Sequence, residues 1–130
     1  MNYKPFLAIT LLFFLLYSIL LNNKVYVGKS SIDGKGLFAK RNIKKGEYLF
    51  DTAYYDKDDK LIITRIGSLI NHCQYQNTKI GIVGNIVKIY AIENIEKDME
   101  IVIDYDIVSK KIAVQGSKKH YKCNKKNYAI

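Results

Sequence analysis

A chain of 130 residues with a formal charge of +9 and a pI near 9.4 has room for one small domain and no second catalytic unit. The basic balance implies attraction to something anionic, whether nucleic acid, nucleosome or membrane surface, without choosing among them. Cys73 and Cys123 are too few and too far apart for a CxxC zinc site, so no structural metal is expected, and two reduced thiols are expected rather than a single bridge.

The chain opens with an apolar run from Phe6 to Leu21, interrupted only by Thr10, Tyr17 and Ser18. A helix over that run reaches about 24 Å against a hydrocarbon core of about 30 Å, which leaves signal peptide and short anchor both open. Tyr17-Ser18-Ile19-Leu20-Leu21 lacks the paired small residues of a cleavage site, which favours an uncleaved anchor. Lys24, Lys29, Lys35, Lys40, Arg41, Lys44 and Lys45 follow it while only Lys4 precedes it, so the positive-inside rule places the domain on the cytoplasmic side of a membrane. This divides the chain into residues 1–23 as signal or anchor, 24–108 as the domain, and 109–130 as a basic tail.

Beyond Lys24 the pattern is one of short β-branched and aromatic runs broken by turn signals, with no sustained helical period and no internal repeat. Strands are predicted over Val25 to Val27, Leu37 to Ala39, Glu47 to Asp51, Leu61 to Thr64, Ile80 to Val83, Ile86 to Ile92 and Ile101 to Ile103. Asp33-Gly34-Lys35-Gly36 and Lys44-Lys45-Gly46 read as glycine turns, Val83-Gly84-Asn85 as a hairpin tip, and Asp56 to Lys60 as a charged loop. No acidic residue follows Asp106, whereas Lys110, Lys111, Lys118, Lys119, His120, Lys122, Lys125 and Lys126 do. That tail reads either as a solvated arm or as a contact to nucleic acid or anionic membrane.

Three motifs carry the chemistry through their order. Gly34-Lys35-Gly36-Leu37-Phe38-Ala39 is followed by Asn42-Ile43-Lys44-Lys45-Gly46-Glu47; then come Ile70-Asn71-His72-Cys73 with Asn77, and Ala91 through Glu100-Ile101-Val102-Ile103-Asp104-Tyr105. Together they resemble the G-x-G-L-x-A, I-N-H-S-x-x-x-N and G-E-E-I-x-x-D-Y signatures of SET domains, over about Val25 to Asp106, in the manner of minimal viral SET proteins. The resemblance implies a mostly β fold, a β-clip of several small sheets with a C-terminal pseudoknot, here preceded by one hydrophobic N-terminal helix.

The resemblance also implies a protein-lysine N-methyltransferase that uses S-adenosyl-L-methionine, with histone or another basic protein as acceptor. By that likeness Gly34, Lys35 and Gly36 would cradle the cofactor, Lys35 beside its carboxylate. Asn71 and His72 would hold its amino-acid part and adenine. Tyr105 would be the catalytic residue, and Thr52, Tyr54, Tyr90 and Ile103 would line or tune the substrate channel. An acidic groove for a basic substrate would draw on Asp51, Asp56, Asp58 and Asp59, or on Glu93 and Glu96. No metal is implied, and the tail with Tyr121 and Tyr128 would close the channel in place of a zinc-bound segment.

The departures are Cys73 for serine, Gln76 for proline, Ser68 for a frequent arginine, and Asp98-Met99 for Gly-Glu, where Asp98 must take the left-handed turn that glycine allows. The competing expectation is a catalytically inactive SET-fold binding module that uses its basic tail on nucleic acid or membrane. A second is a secreted or structural membrane protein with accidental motif matches.

Overall fold

The computed structural model describes residues 8–16, 24–112 and Cys123. Helix α1 covers residues 8–16, where Ile9 to Leu16 are exposed. No helix among the described residues is long and apolar enough to cross a membrane. The expected apolar segment thus enters the structure only in part, since residues 1–7 and 17–23 lie outside the described set.

Eight strands follow: β1 (Val25–Lys29), β2 (Lys35–Ala39), β3 (Tyr48–Tyr55), β4 (Leu61–Ile63), β5 (Asn71–His72), β6 (Thr78–Val83), β7 (Ile86–Ala91) and β8 (Glu100–Ile103), with a 3-10 turn at Gly67–Leu69 and helix α2 (Tyr105–Ile112). They form two sheets, in the orders β1-β2-β8-β5 and β4-β3-β7-β6. Every predicted strand is present. Alternation explains the packing of β7: Val87, Ile89 and Ala91 are buried against the core, while Ile86, Lys88 and Tyr90 between them are only partly covered. Leu37, Ile43, Ile95 and Ile101 complete the fully buried centre.

Two turns lock the sheets together reciprocally. Ile43 and Ile95 exchange backbone hydrogen bonds of 2.8 and 2.9 Å. The Asn42 carboxamide oxygen accepts from Lys97 N–H, and that of Asn94 accepts from Lys45 N–H, each at 2.9 Å. Both turns read Asn-Ile-x-Lys and then a left-handed residue, Gly46 at φ 89° and Asp98 at φ 69°. A five-residue likeness that shows no period at domain scale therefore has a structural meaning, and Asp98 takes the left-handed conformation expected of it.

Beside the first of these turns, the Arg41 guanidinium donates to Glu47 at 3.0 Å and Lys44 N–H donates at 2.9 Å. These contacts pull the Glu47 carboxyl down to about 2. Because the folded value lies below the ordinary one near 4.5, the stabilisation is present above that value and is lost as pH falls toward 2. The difference in urea midpoint between the wild type and Glu47→Gln should therefore shrink steadily over that window; a difference independent of pH would exclude this ion pair as its source.

Strand β8 is held on both sides. β2 pairs with it antiparallel through Leu37–Ile101, and β5 pairs with it parallel through Asn71–Val102 and His72–Ile103. The segment after β5 then grips the same strand. Cys73 N–H donates to Ile103 O at 3.0 Å, Thr78 Oγ1 donates to Val102 O at 2.8 Å, and Asn77 bonds both Glu100 O and Val102 N. This is the pseudoknot of the β-clip, with a strand captured by a distant loop.

One expectation is corrected. Cys73 and Cys123 are not free thiols but a disulfide with Cα atoms 5.3 Å apart, and Cys123 packs with the buried Cys73 and Val102. Asp104 caps α2, its carboxylate accepting from Asp106 N–H at 2.9 Å and its carbonyl from Val108 N–H at 3.1 Å.

Candidate active site

The pseudoknot brings the second and third motifs together. Tyr105 N–H donates to His72 Nδ1 at 3.0 Å, which leaves the neutral imidazole its hydrogen on Nε2. The two rings lie 5.2 Å apart, and Tyr105 Oη donates to the Ile70 carbonyl at 2.5 Å. The phenol hydrogen is thus committed to the backbone just ahead of Asn71, so toward a reactant the oxygen acts as an acceptor. Gln76 closes the junction by accepting from Asp104 N–H at 3.1 Å, a use of this position that its substitution for proline did not reveal.

The first motif adjoins the same point. Asn71 Nδ2 donates to the carbonyls of Asp33 and Lys35 at 3.1 and 3.2 Å, tying the β1–β2 turn to β5. Gly34 has φ 48°, in the left-handed region that favours glycine. Gly36 is buried, and a Cβ there would meet the Asn71 amide at 3.1 Å. Gly34, Lys35, Gly36, Asn71, His72 and Tyr105 therefore form one continuous neighbourhood.

A groove of about 970 Å³ opens beside this turn, walled by Val25, Leu37 and Leu69 and rimmed by Lys35, Arg65 and Ser68. Among the described residues neither Lys35 nor Arg65 has an acidic partner. Arg65 was not anticipated; the available signal was an arginine three positions before Ser68, where the family's own arginine is missing. Thr52 sits beneath the 3-10 turn, its carbonyl accepting from Thr64 N–H at 3.0 Å, and a Cβ on Gly67 would lie 2.1 Å from that carbonyl oxygen.

The remaining expected channel residues divide. Ile103 is buried and pairs with His72. Tyr54 is exposed near the end of β3, paired with Ile62 and Ile86. Tyr90 alternates with the buried Ile89 and Ala91, so it leaves β7 on the face away from them, edge-on to Tyr48 at 5.9 Å. Tyr48 is itself flanked by Lys24 and Lys88, and burial, followed by its hydrogen bond to Asp51, pushes its hydroxyl up to about 12. Tyr121 and Tyr128 lie outside the described residues.

No family model and no curated protein matches the sequence. Solved structures do. A proposed histone methyltransferase of Plasmodium falciparum is 32% identical, with a TM-score of 0.54 over 64% of this chain and 93% of that one. Polycomb Repressive Complex 2 of Chaetomium thermophilum bound to the inhibitor GSK126 gives a TM-score of 0.55 at 19% identity, over 68% of this chain. The same complex, autoinhibited and bound to S-adenosylmethionine, gives 0.56 at 19% identity over 70%. The chain spans only 17% and 16% of those two chains, which show the fold alone.

The fold is that of the SET-domain methyltransferases. With a relative of this identity covered almost end to end and all three motifs converging in space, the chain belongs to the SET-domain family.

Proposed function

We propose that this protein transfers a methyl group from S-adenosyl-L-methionine to a lysine side chain of a histone or another protein. The observation that carries the reading is the junction of Tyr105 with Ile70 and His72, which Asn71 ties to the carbonyl of Lys35, the one expected cofactor residue that lines the groove. The residues present fit the cofactor: apolar walls for its uncharged surface, and Lys35 and Arg65 for its carboxylate. When bound, it supplies an electrophilic methyl group on a sulfonium.

The rest falls to the chain. Tyr105 presents acceptor lone pairs that orient the incoming amine, and positioning of this kind can supply several kcal/mol of the barrier, on the order of 7 at least in well-aligned systems. The acceptor lysine must arrive neutral, which costs about 4 kcal/mol at physiological pH for a group with an ordinary pKa of about 10.4. Ile103 and the half-buried Tyr105 ring form a surrounding that penalises the ammonium charge and lowers that cost.

The test is incubation of the full chain with methyl-labelled S-adenosylmethionine and core histones or a cell lysate, with mass-spectrometric location of the label and a parallel cofactor titration. Cofactor binding and label on a lysine are expected. Neither binding nor transfer would overturn the reading, and salt-sensitive binding to DNA or anionic vesicles in their place would mark an inactive binding module.

A further inference from the structure

Glu100 has no role in the reading above, yet it is a carboxylate only 1% exposed at the start of β8. Ser30 Oγ donates to its two oxygens at 2.8 and 3.0 Å, and Asn71 Nδ2 donates at 2.8 Å. The Ser30 oxygen at the same time accepts the backbone N–H groups of Ile32 and Asp33, at 2.9 and 3.3 Å. Its lone pairs are spoken for, so its single hydrogen goes to Glu100. Asn71 Nδ2 also donates to the carbonyls of Asp33 and Lys35. One carboxylate thus holds both limbs of the turn between β1 and β2: through Ser30 it fixes the entry, and through Asn71 the exit.

The surroundings are built for this carboxylate. A Cβ on Gly36 would lie 2.2 Å from Glu100 Oε1, so only glycine leaves the space. No Lys, Arg or His forms an ion pair with it among the described residues. Burying a carboxylate without a countercharge is costly, and an apolar side chain would fill the same volume more favourably. What the carboxylate adds is directional: acceptor atoms facing two donors that in turn fix the backbone of residues 32–35. A buried polar network with every member satisfied specifies one conformation.

We infer that Glu100 is a positioning residue for the cofactor, acting through Ser30 and Asn71 to hold the turn in the conformation that sets Lys35 at the rim of the groove. The inference rests on the reading of that groove as the cofactor cleft. It predicts that Glu100→Gln is harmful although isosteric: Oε1 accepts from both Ser30 and Asn71 and Oε2 faces Ser30 alone, so whichever way the carboxamide turns its NH2 meets Ser30 Oγ, whose lone pairs already serve Ile32 and Asp33. Ser30→Ala cuts the link to Ile32 and Asp33 and tests the same turn from its other limb.

The experiment uses the full chain, wild type against Glu100→Gln and Ser30→Ala. The dissociation constant for S-adenosylmethionine is measured by calorimetry, kcat at saturating cofactor by label transfer, and amide exchange at Ile32 and Asp33 by hydrogen–deuterium methods. Each variant should raise the dissociation constant by about tenfold, the effect of losing one buried hydrogen bond. Amide exchange at the turn should accelerate, with β7 unchanged and kcat within about threefold, a split that general destabilisation would not produce. Wild-type affinity or wild-type exchange at the turn in both variants overturns this inference alone. A wild-type chain that binds no cofactor overturns the reading of the cleft, and this inference with it. Should Glu100→Gln fail to fold, Ser30→Ala decides.

Discussion

Tyr105→Phe should lower kcat by at least about 100-fold while leaving the dissociation constant for S-adenosylmethionine within about threefold of wild type, the signature of a preorganised dipole that acts on the reacting groups. The substitution removes one oxygen. The ring stays against the core, 5.2 Å from His72, and the hydrogen bond from Tyr105 N–H to His72 Nδ1 does not involve the side chain. What is lost is the hydroxyl whose hydrogen is fixed on Ile70 O, and with it the acceptor aimed at the amine. The stability cost should be about 1 kcal/mol, the ordinary net value of one such bond. Label transfer under saturating cofactor, with a thermal melt as control, separates the two effects. Near-normal turnover would remove Tyr105 from the chemistry, and a melt lowered by much more than that cost would mean that the hydroxyl serves the pseudoknot instead.

How far this site could be read in advance depends on the range of its interactions. Features set by neighbours in sequence were legible: the strand runs, the hairpin tip with Gly84 at φ 61°, and the left-handed Asp98. Motif order singled out Gly34, Asn71, His72 and Tyr105, which the pseudoknot brings near one another. Pairing over long separations was not legible. β5 is two residues long, and only its parallel partner, about 30 positions away, makes Asn71–His72 a strand. Glu100 lay inside a recognised motif, but its donors Ser30 and Asn71 come from two other segments, so no local pattern marked its role. Helix α2 is a different case, because Asp104 as cap and Asp106 in the first turn were visible signals, hidden by treating the following lysines as a tail. The disulfide could not be reached from spacing, since 50 residues separate its partners.

The same logic of distant capture makes Asn77, although polar, a position where a single change should cost the fold heavily. Asn77→Ala should destabilise the domain by about 3 to 5 kcal/mol, against a total of about 5 to 15 kcal/mol for domains of this kind. Asn77 is 0% exposed; its Nδ2 donates to Glu100 O at 2.8 Å and its Oδ1 accepts from Val102 N–H at 3.0 Å. A carboxamide is the one uncharged side chain that offers a donor and an acceptor side by side, as a neighbouring strand would, so Asn77 substitutes for strand pairing where the chain crosses β8. Alanine would orphan both backbone groups in a space that water does not reach, at about 1 to 3 kcal/mol each, and would add a cavity. Thr78→Val is the graded comparison: it removes only the 2.8 Å bond to Val102 O, keeps the shape, and should cost about 1 to 2 kcal/mol. Urea unfolding of the two variants checks the order. If Asn77→Ala cost no more than Thr78→Val, the crossing would be held by the parallel pairing of β5 and the bond from Cys73 to Ile103, and the clasp of residues 77 and 78 would be secondary to them.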